Sequence, residues 1–217
     1  LEESQVLSEE AYQNALNEYG PNFKAMMGGE AILELLRKVD VEYLSKKIRM
    51  ELKDAKSDAA IKKLESVAAR YCLHQLSPEF ESLILVQNDR NRPFFQESDW
   101  HISLTHSYPY VAAACSLKHS IGIDIEKPGR NIEKIAPRFL HAEEWEKWKD
   151  SSNLLTLAWS AKESIYKACG KPGLSFQKEI LIADFDQNPT QAHIVSGEEI
   201  TLYWEEWAEF SLTVALI

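Results

Sequence analysis

Three carboxylates and two lysines fall within two short segments, Ile121-Gly122-Ile123-Asp124-Ile125-Glu126 and Trp159-Ser160-Ala161-Lys162-Glu163-Ser164-Ile165-Tyr166-Lys167, where together they could hold a metal-bound diphosphate. In the first segment isoleucines alternate with Gly122, Asp124 and Glu126. A strand repeats every two residues, so both carboxylates share one face, and Gly122 leaves room beside them. Three carboxylates from a strand and a following helix suit a hard divalent cation. Mg²⁺ prefers oxygen ligands in octahedral geometry and keeps waters and substrate phosphates in its shell, and Mn²⁺ is the alternative ion. A structural zinc site is unexpected, because Cys72, Cys115 and Cys169 are scattered, with no C-x-x-C pair.

The elements that must position these groups are also readable. Asn153 to Cys169 carries an apolar helical stripe of Leu154, Leu157, Ala158, Ala161, Ile165 and Ala168, and Gly170 and Pro172 stop it. At about 100° per residue, Glu163 points opposite that stripe and shares its side with Trp159, Tyr166 and Lys167. Each segment alone also fits a plainer role. The strand fits a half-buried edge with a solvated acidic face, and the helix a surface Glu163–Lys167 pair contributing a few tenths of a kcal/mol.

The pattern [VI]-G-[IV]-D-[IV]-E, a gap, then W-S-x-K-E-x-x-x-K resembles the signature of the 4′-phosphopantetheinyl transferase family. The resemblance implies transfer of the phosphopantetheine arm of coenzyme A to a serine of an apo acyl or peptidyl carrier protein, with release of adenosine 3′,5′-bisphosphate. It implies that Asp124, Glu126 and Glu163 hold Mg²⁺ against the CoA diphosphate, and that Lys162 sits close to the same phosphates, with Lys167 a further contact. Glu163 and Lys162 are the catalytic candidates, Glu163 as a base acting directly or through a metal-bound water.

Upstream, Ile102-Ser103-Leu104-Thr105-His106-Ser107 resembles the family strand ending in [ST]-H-S, which makes Thr105 and His106 candidates for CoA phosphates. Strict alternation sets His106 on the side of Ile102 and Leu104, where a lone histidine is more often a core residue. Asn91-Arg92-Pro93-Phe94-Phe95 resembles the family's G-K-P-x-[FI] turn. Asn91 replaces the glycine, and asparagine tolerates positive φ; Arg92 replaces the lysine and keeps its charge. Lys62 to Tyr71 resembles the helix carrying basic residues to the CoA 3′-phosphate, with Lys63 the better candidate and Leu64 standing where a second basic residue is common.

Residues 1 to about 80 read as largely helical, with Asp54 to Asp58 a boundary before the Lys62 helix. Strands are expected at 83–87, 101–105, 110–117, 121–126, 180–185, 200–204 and 210–216, and helices at 131–137, 142–149 and 153–169. The class is therefore α+β (or α/β). The family resemblance, to its long surfactin-synthetase-activator branch, implies two pseudo-symmetric α/β halves in one monomeric chain. Residues 1–118 would carry CoA-binding elements and 119–217 the metal-binding signature, with the active site at the seam.

With 217 residues and 45% hydrophobic content the chain can bury a sizeable core. A net charge of −10 argues against a nucleic-acid partner. No run is long and apolar enough for a membrane span, no signal peptide is evident, and the unpatterned cysteines fit the cytoplasm. Carrier proteins of this family are typically acidic, so Lys46, Lys47, Arg49, Lys53 and Lys56 are candidates for a docking patch. Two other classes remain open: a Mg²⁺-dependent hydrolase of CoA-like nucleotides, and a non-catalytic paralogue that binds a carrier.

Overall fold

The computed structural model describes residues 31–36, 58–89, 91–107, 110–129, 131–207 and 210–217. In chain order these form β1 (Ala31–Leu36), α1 (Asp58–Gln75), a 3₁₀ turn (Pro78–Ser82), β2 (Leu85–Gln87), β3 (Pro93–Phe95), β4 (His101–Ser107), β5 (Tyr110–Ser116) and β6 (Ile121–Glu126). They continue with α2 (Ile132–Phe139), α3 (Ala142–Trp148), α4 (Ser152–Cys169), β7 (Ile180–Ile182), β8 (Thr190–Ile194), β9 (Glu199–Glu206) and β10 (Ser211–Leu216). The mixed α/β class agrees with the expectation from sequence.

Two antiparallel sheets carry the fold, one ordered β1-β5-β4 and the other β6-β10-β9-β8-β7, with β2 and β3 as a separate hairpin. β5 reads Tyr-Val-Ala-Ala-Ala-Cys-Ser and is buried along its whole length. Alanine is a poor strand former, but small side chains let other layers approach from both faces. On one face Val111, Ala113 and Cys115 pack on Ala68, Ala69, Cys72 and Leu73 of α1. On the other, Ala112 and Ala114 meet Ile121, Ile123 and Ile125 of β6 and Leu212, Val214 and Leu216 of β10. The opposite face of the second sheet packs on α4, where Leu157, Ala158, Ala161, Ile165 and Ala168 join Ala192, Ile200, Leu202 and Ala215 in the largest core. Both long helices thus lie outside a face-to-face pair of sheets, an arrangement that buries each apolar face.

β4 and β6 meet where the two sheets adjoin. The hydroxyls of Ser103 and Thr105 accept hydrogen bonds from the backbone amides of Ile123 and Ile125, at 3.0 and 3.2 Å. Side chains here do what a strand ladder would otherwise do, and they fix β4 against the strand that bears the carboxylates.

Some expectations need correction. The stretch 31–36, read as helical, is a strand paired antiparallel with β5. Its Ala-Ile-Leu-Glu-Leu-Leu sequence favours helix, and tertiary pairing overrides that weak preference. β3 and β8 were not anticipated, each being short, and the strand expected at 180–185 stops at Ile182.

Candidate functional site

β6 alternates as its sequence requires: Ile121, Ile123 and Ile125 enter the inter-sheet core, while Gly122, Asp124 and Glu126 face α4. The acidic face is therefore covered rather than solvated. Gly122 does not leave open room, because a Cβ there would lie 1.9 Å from the Ser164 carbonyl oxygen and 2.6 Å from the Ala168 amide. The missing side chain lets the helix backbone settle directly on the strand, reinforced by Ser120 Oγ donating to the Ala168 carbonyl at 2.6 Å. α4 is itself capped at both ends. Ser151 accepts from the Leu154 amide, and Gly170 adopts φ 60° in the left-handed region, its amide bonded to the Tyr166 carbonyl.

This close approach brings Asp124, Glu126 and Glu163 into one electrostatic environment. Asp124 is 5% exposed. Its Oδ1 accepts from Lys167 Nζ at 2.6 Å and from Thr105 Oγ1 at 3.2 Å, while its buried Oδ2 accepts nothing. Glu126 Oε1 accepts from the indole of Trp159 at 3.0 Å. The Glu163 carboxyl is pushed up to about 7, chiefly by burial and then by Asp124 and Glu126, with Lys167 opposing. Among the described residues, no three His, Cys, Asp or Glu side chains form a ready-made metal cage. Instead the ammonium of Lys167 lies on Asp124, also donating to the Ile123 carbonyl at 3.0 Å and Thr105 Oγ1 at 3.4 Å. Oxygen-only donors, excess negative charge and an orphaned buried carboxylate oxygen fit a hard divalent cation.

Beside these carboxylates a cavity of about 310 Å³ opens between the two parts of the chain, lined by Asn91, Arg92, Ser103, Tyr166, Lys167 and Gly170, among others. Asn91 holds φ 59°, the positive value anticipated where the family motif has glycine. Its amide donates to the Asn88 carbonyl at 2.9 Å, and Asn88 Oδ1 accepts from the Arg92 amide at 3.0 Å. The Arg92 guanidinium lies against Gly170, at the carbonyl-rich C-terminal end of α4, where a cation is favoured. Burial lowers its pKa from the ordinary value, with Cys169 opposing.

Not every expected residue joins this group. Lys162 faces neither the carboxylate cluster nor the cavity: its side chain is 0% exposed, and its ammonium bonds Glu144 Oε2 at 2.5 Å and the carbonyls of Ile180 and Phe176 at 2.8 and 2.9 Å. An ammonium has three donors, and all three are engaged. Position 162 is four residues from Ala158 and three from Ile165, on the buried stripe, so helical geometry carried this signal. His106 is exposed and pairs through Nδ1 with the buried Glu65 of α1 at 3.1 Å. Thr105 sits within the carboxylate cluster. Lys63 lies in α1 with its side chain outside the described residues, as do Lys46, Lys47, Arg49, Lys53 and Lys56 entirely. Lys62 is exposed.

Sequence reasoning missed Phe176, on which Trp159 and Tyr166 stack with centroids 5.7 and 5.6 Å away. The only hint was that two aromatics on a supposedly wet helix face need a partner. It also missed Glu144. One oxygen of this carboxylate accepts from the His141 amide and Lys162, and the other from the Ile182 amide at 2.9 Å.

A mixed α/β fold here seats an acidic strand, through Gly122, against the W-S-x-K-E helix. Residues 120–215, somewhat under half of the chain, match the 4′-phosphopantetheinyl transferase superfamily. A different similarity involves a shorter stretch. Over 64 residues, 30% of this chain, it is 67% identical to the DNA-directed RNA polymerase subunit beta′ of Bdellovibrio bacteriovorus, covering 5% of that protein. It is 53% identical over 64 residues to the same subunit of Coxiella burnetii, 30% of this chain and 4% of the relative. With that of Acetivibrio thermocellus identity is 39% over 89 residues, 40% of this chain and 8% of the relative. The chain therefore spans less than a tenth of these relatives. Among the described residues, no helix is long and apolar enough to cross a membrane.

Proposed function

We propose that this protein transfers the 4′-phosphopantetheine arm of coenzyme A to a serine of an apo acyl or peptidyl carrier protein, in a Mg²⁺-dependent reaction that releases adenosine 3′,5′-bisphosphate. The observation that carries this reading is the adjacency of two features: the Asp124, Glu126 and Glu163 cluster, and the cavity walled by Arg92 and Lys167. One suits a cation and the other suits phosphates, and Lys167 belongs to both.

On this reading Asp124 and Glu126 are the fixed oxygen ligands of Mg²⁺ and Glu163 completes the set. The bound ion would neutralise the diphosphate and the charge on the leaving phosphate. Arg92 and Lys167 hold the phosphates, with His106 and Lys63 as further contacts at the Glu65 end of α1. The carrier serine oxygen forms a bond to the β-phosphorus, the bond from that phosphorus to the bisphosphate breaks, and the serine proton passes to Glu163. Little covalent chemistry is asked of the protein, so positioning and electrostatics supply most of the rate. Because residues from both sides of Lys118 line one cavity within a single chain, a monomer suffices; the scattered cysteines favour the cytoplasm. The polymerase similarity spans too little of that subunit to support a second activity.

Intact mass spectrometry of several apo carrier proteins incubated with this protein, CoA and Mg²⁺ tests the reading. A carrier gaining one phosphopantetheine mass, with the gain abolished by EDTA, is expected. CoA cleavage with every carrier unmodified would point to a hydrolase, and carrier binding with CoA left intact to a scaffold.

A further inference from the structure

We propose that Lys167 is a place-holding cation, whose ammonium occupies the approach to Asp124 in the ion-free protein and is expelled toward the seam cavity when a divalent ion binds. This rests on the transferase reading of the site. Asp124 is 5% exposed and faces two more carboxylates, so without a counter-charge three carboxylates would share one buried region. Lys167 supplies that charge at 2.6 Å, and the Ile123 carbonyl and Thr105 hydroxyl hold it there. Asp124 Oδ2, buried and accepting nothing, is left over after Lys167 has used Oδ1. A divalent ion and an ammonium repel, and they cannot both sit within bonding range of one carboxylate without cost.

The ammonium also has a place to go. Lys167 lines the cavity with Arg92, and its side chain is 29% exposed, so the same flexible stem reaches either position. Lys162, five residues earlier on the same helix, has no such freedom because its three donors are spent inside the core. Binding in the two places is consequently linked. An anion that draws Lys167 into the cavity frees Asp124 and tightens the divalent ion, and the ion in turn strengthens the anion.

The test uses Mn²⁺ as the probe, with the whole chain and no CoA. Calorimetric titration of wild type and Lys167→Met is expected to show Mn²⁺ binding roughly tenfold tighter in the variant, the effect of removing a competing charge worth about 1.4 kcal/mol. Crystals of the wild type with Mn²⁺ are expected to show Lys167 Nζ out of hydrogen-bond range of Asp124. They decide the matter alone if the variant does not fold. Unchanged or weaker Mn²⁺ binding by the variant, or Lys167 still bonded to Asp124 beside the bound ion, would overturn the place-holder while leaving the transferase reading intact. Failure of either protein to bind Mn²⁺ at millimolar concentration would overturn the cation site itself, and the place-holder with it.

Discussion

Glu163 shows how a single residue couples the site to pH. Its folded-state value near 7 lies above the ordinary 4.5, so the folded protein keeps a proton that the unfolded chain has released. The stability this proton contributes is fully present below about 4.5 and is lost as pH rises through 7. Thermal melts of the ion-free protein should therefore show a melting temperature falling across that range, and Glu163→Gln should flatten the slope. Divalent ions bind the ionised form, so their affinity should rise over the same interval. Asp124 makes a separate prediction. Asp124→Asn keeps the volume and removes the charge, and should abolish carrier modification, read by mass, while circular dichroism stays that of wild type. A variant that remained active and Mg²⁺-dependent would remove Asp124 from the ligand set.

Elements, rather than residues, set the spacing of the cluster. α4 lies on β6 because Gly122 has no side chain, and an added methyl would overlap helix backbone, which cannot move aside as a flexible side chain would. Gly122→Ala should cost about 1–3 kcal/mol or more, and it should lower activity beyond the loss of folded protein because Glu163 is displaced from Asp124. Chemical denaturation with activity normalised to the folded fraction separates the two effects. The Lys162–Glu144 pair ties α4 to α3 and to β7. Lys162→Met leaves a buried carboxylate without its counter-charge and should cost about 3–5 kcal/mol, as measured by urea midpoints.

The same elements show what the sequence discloses. Period-two alternation was enough to place Asp124 and Glu126 on one face, and the apolar stripe with Gly170 was enough to place α4. The role of Lys162 was hidden by the motif that surrounds it, although its helical position already set it on the buried side. Phe176 and Glu144 act through contacts between segments far apart in sequence, which periodicity does not record.

At the scale of the whole molecule, the site exists because two sheets adjoin. β4 is held beside β6 by Ser103 and Thr105 hydroxyls, and Thr105 also touches Asp124 and Lys167, so one side chain joins the seam to the cluster. The β2–β3 hairpin brings Arg92 to the end of α4 from the other side. The hydroxyl seam was not legible in the sequence, since Ser and Thr in a strand look like ordinary polar positions. If the proposed function holds, Arg92→Ala should raise the apparent KM for CoA while leaving kcat within a few fold, because Arg92 is proposed to bind CoA rather than to act in the transfer step.

On the proposed function the carboxylate cluster and the Arg92–Lys167 cavity form one site for CoA and a divalent ion. Calorimetric titration of CoA with and without Mg²⁺, in wild type and Asp124→Asn, tests it most directly. Mg²⁺ should tighten CoA binding in the wild type, and this coupling should disappear in Asp124→Asn. CoA binding of equal strength with and without Mg²⁺ in the wild type, or an undiminished Mg²⁺ effect in the variant, would contradict it.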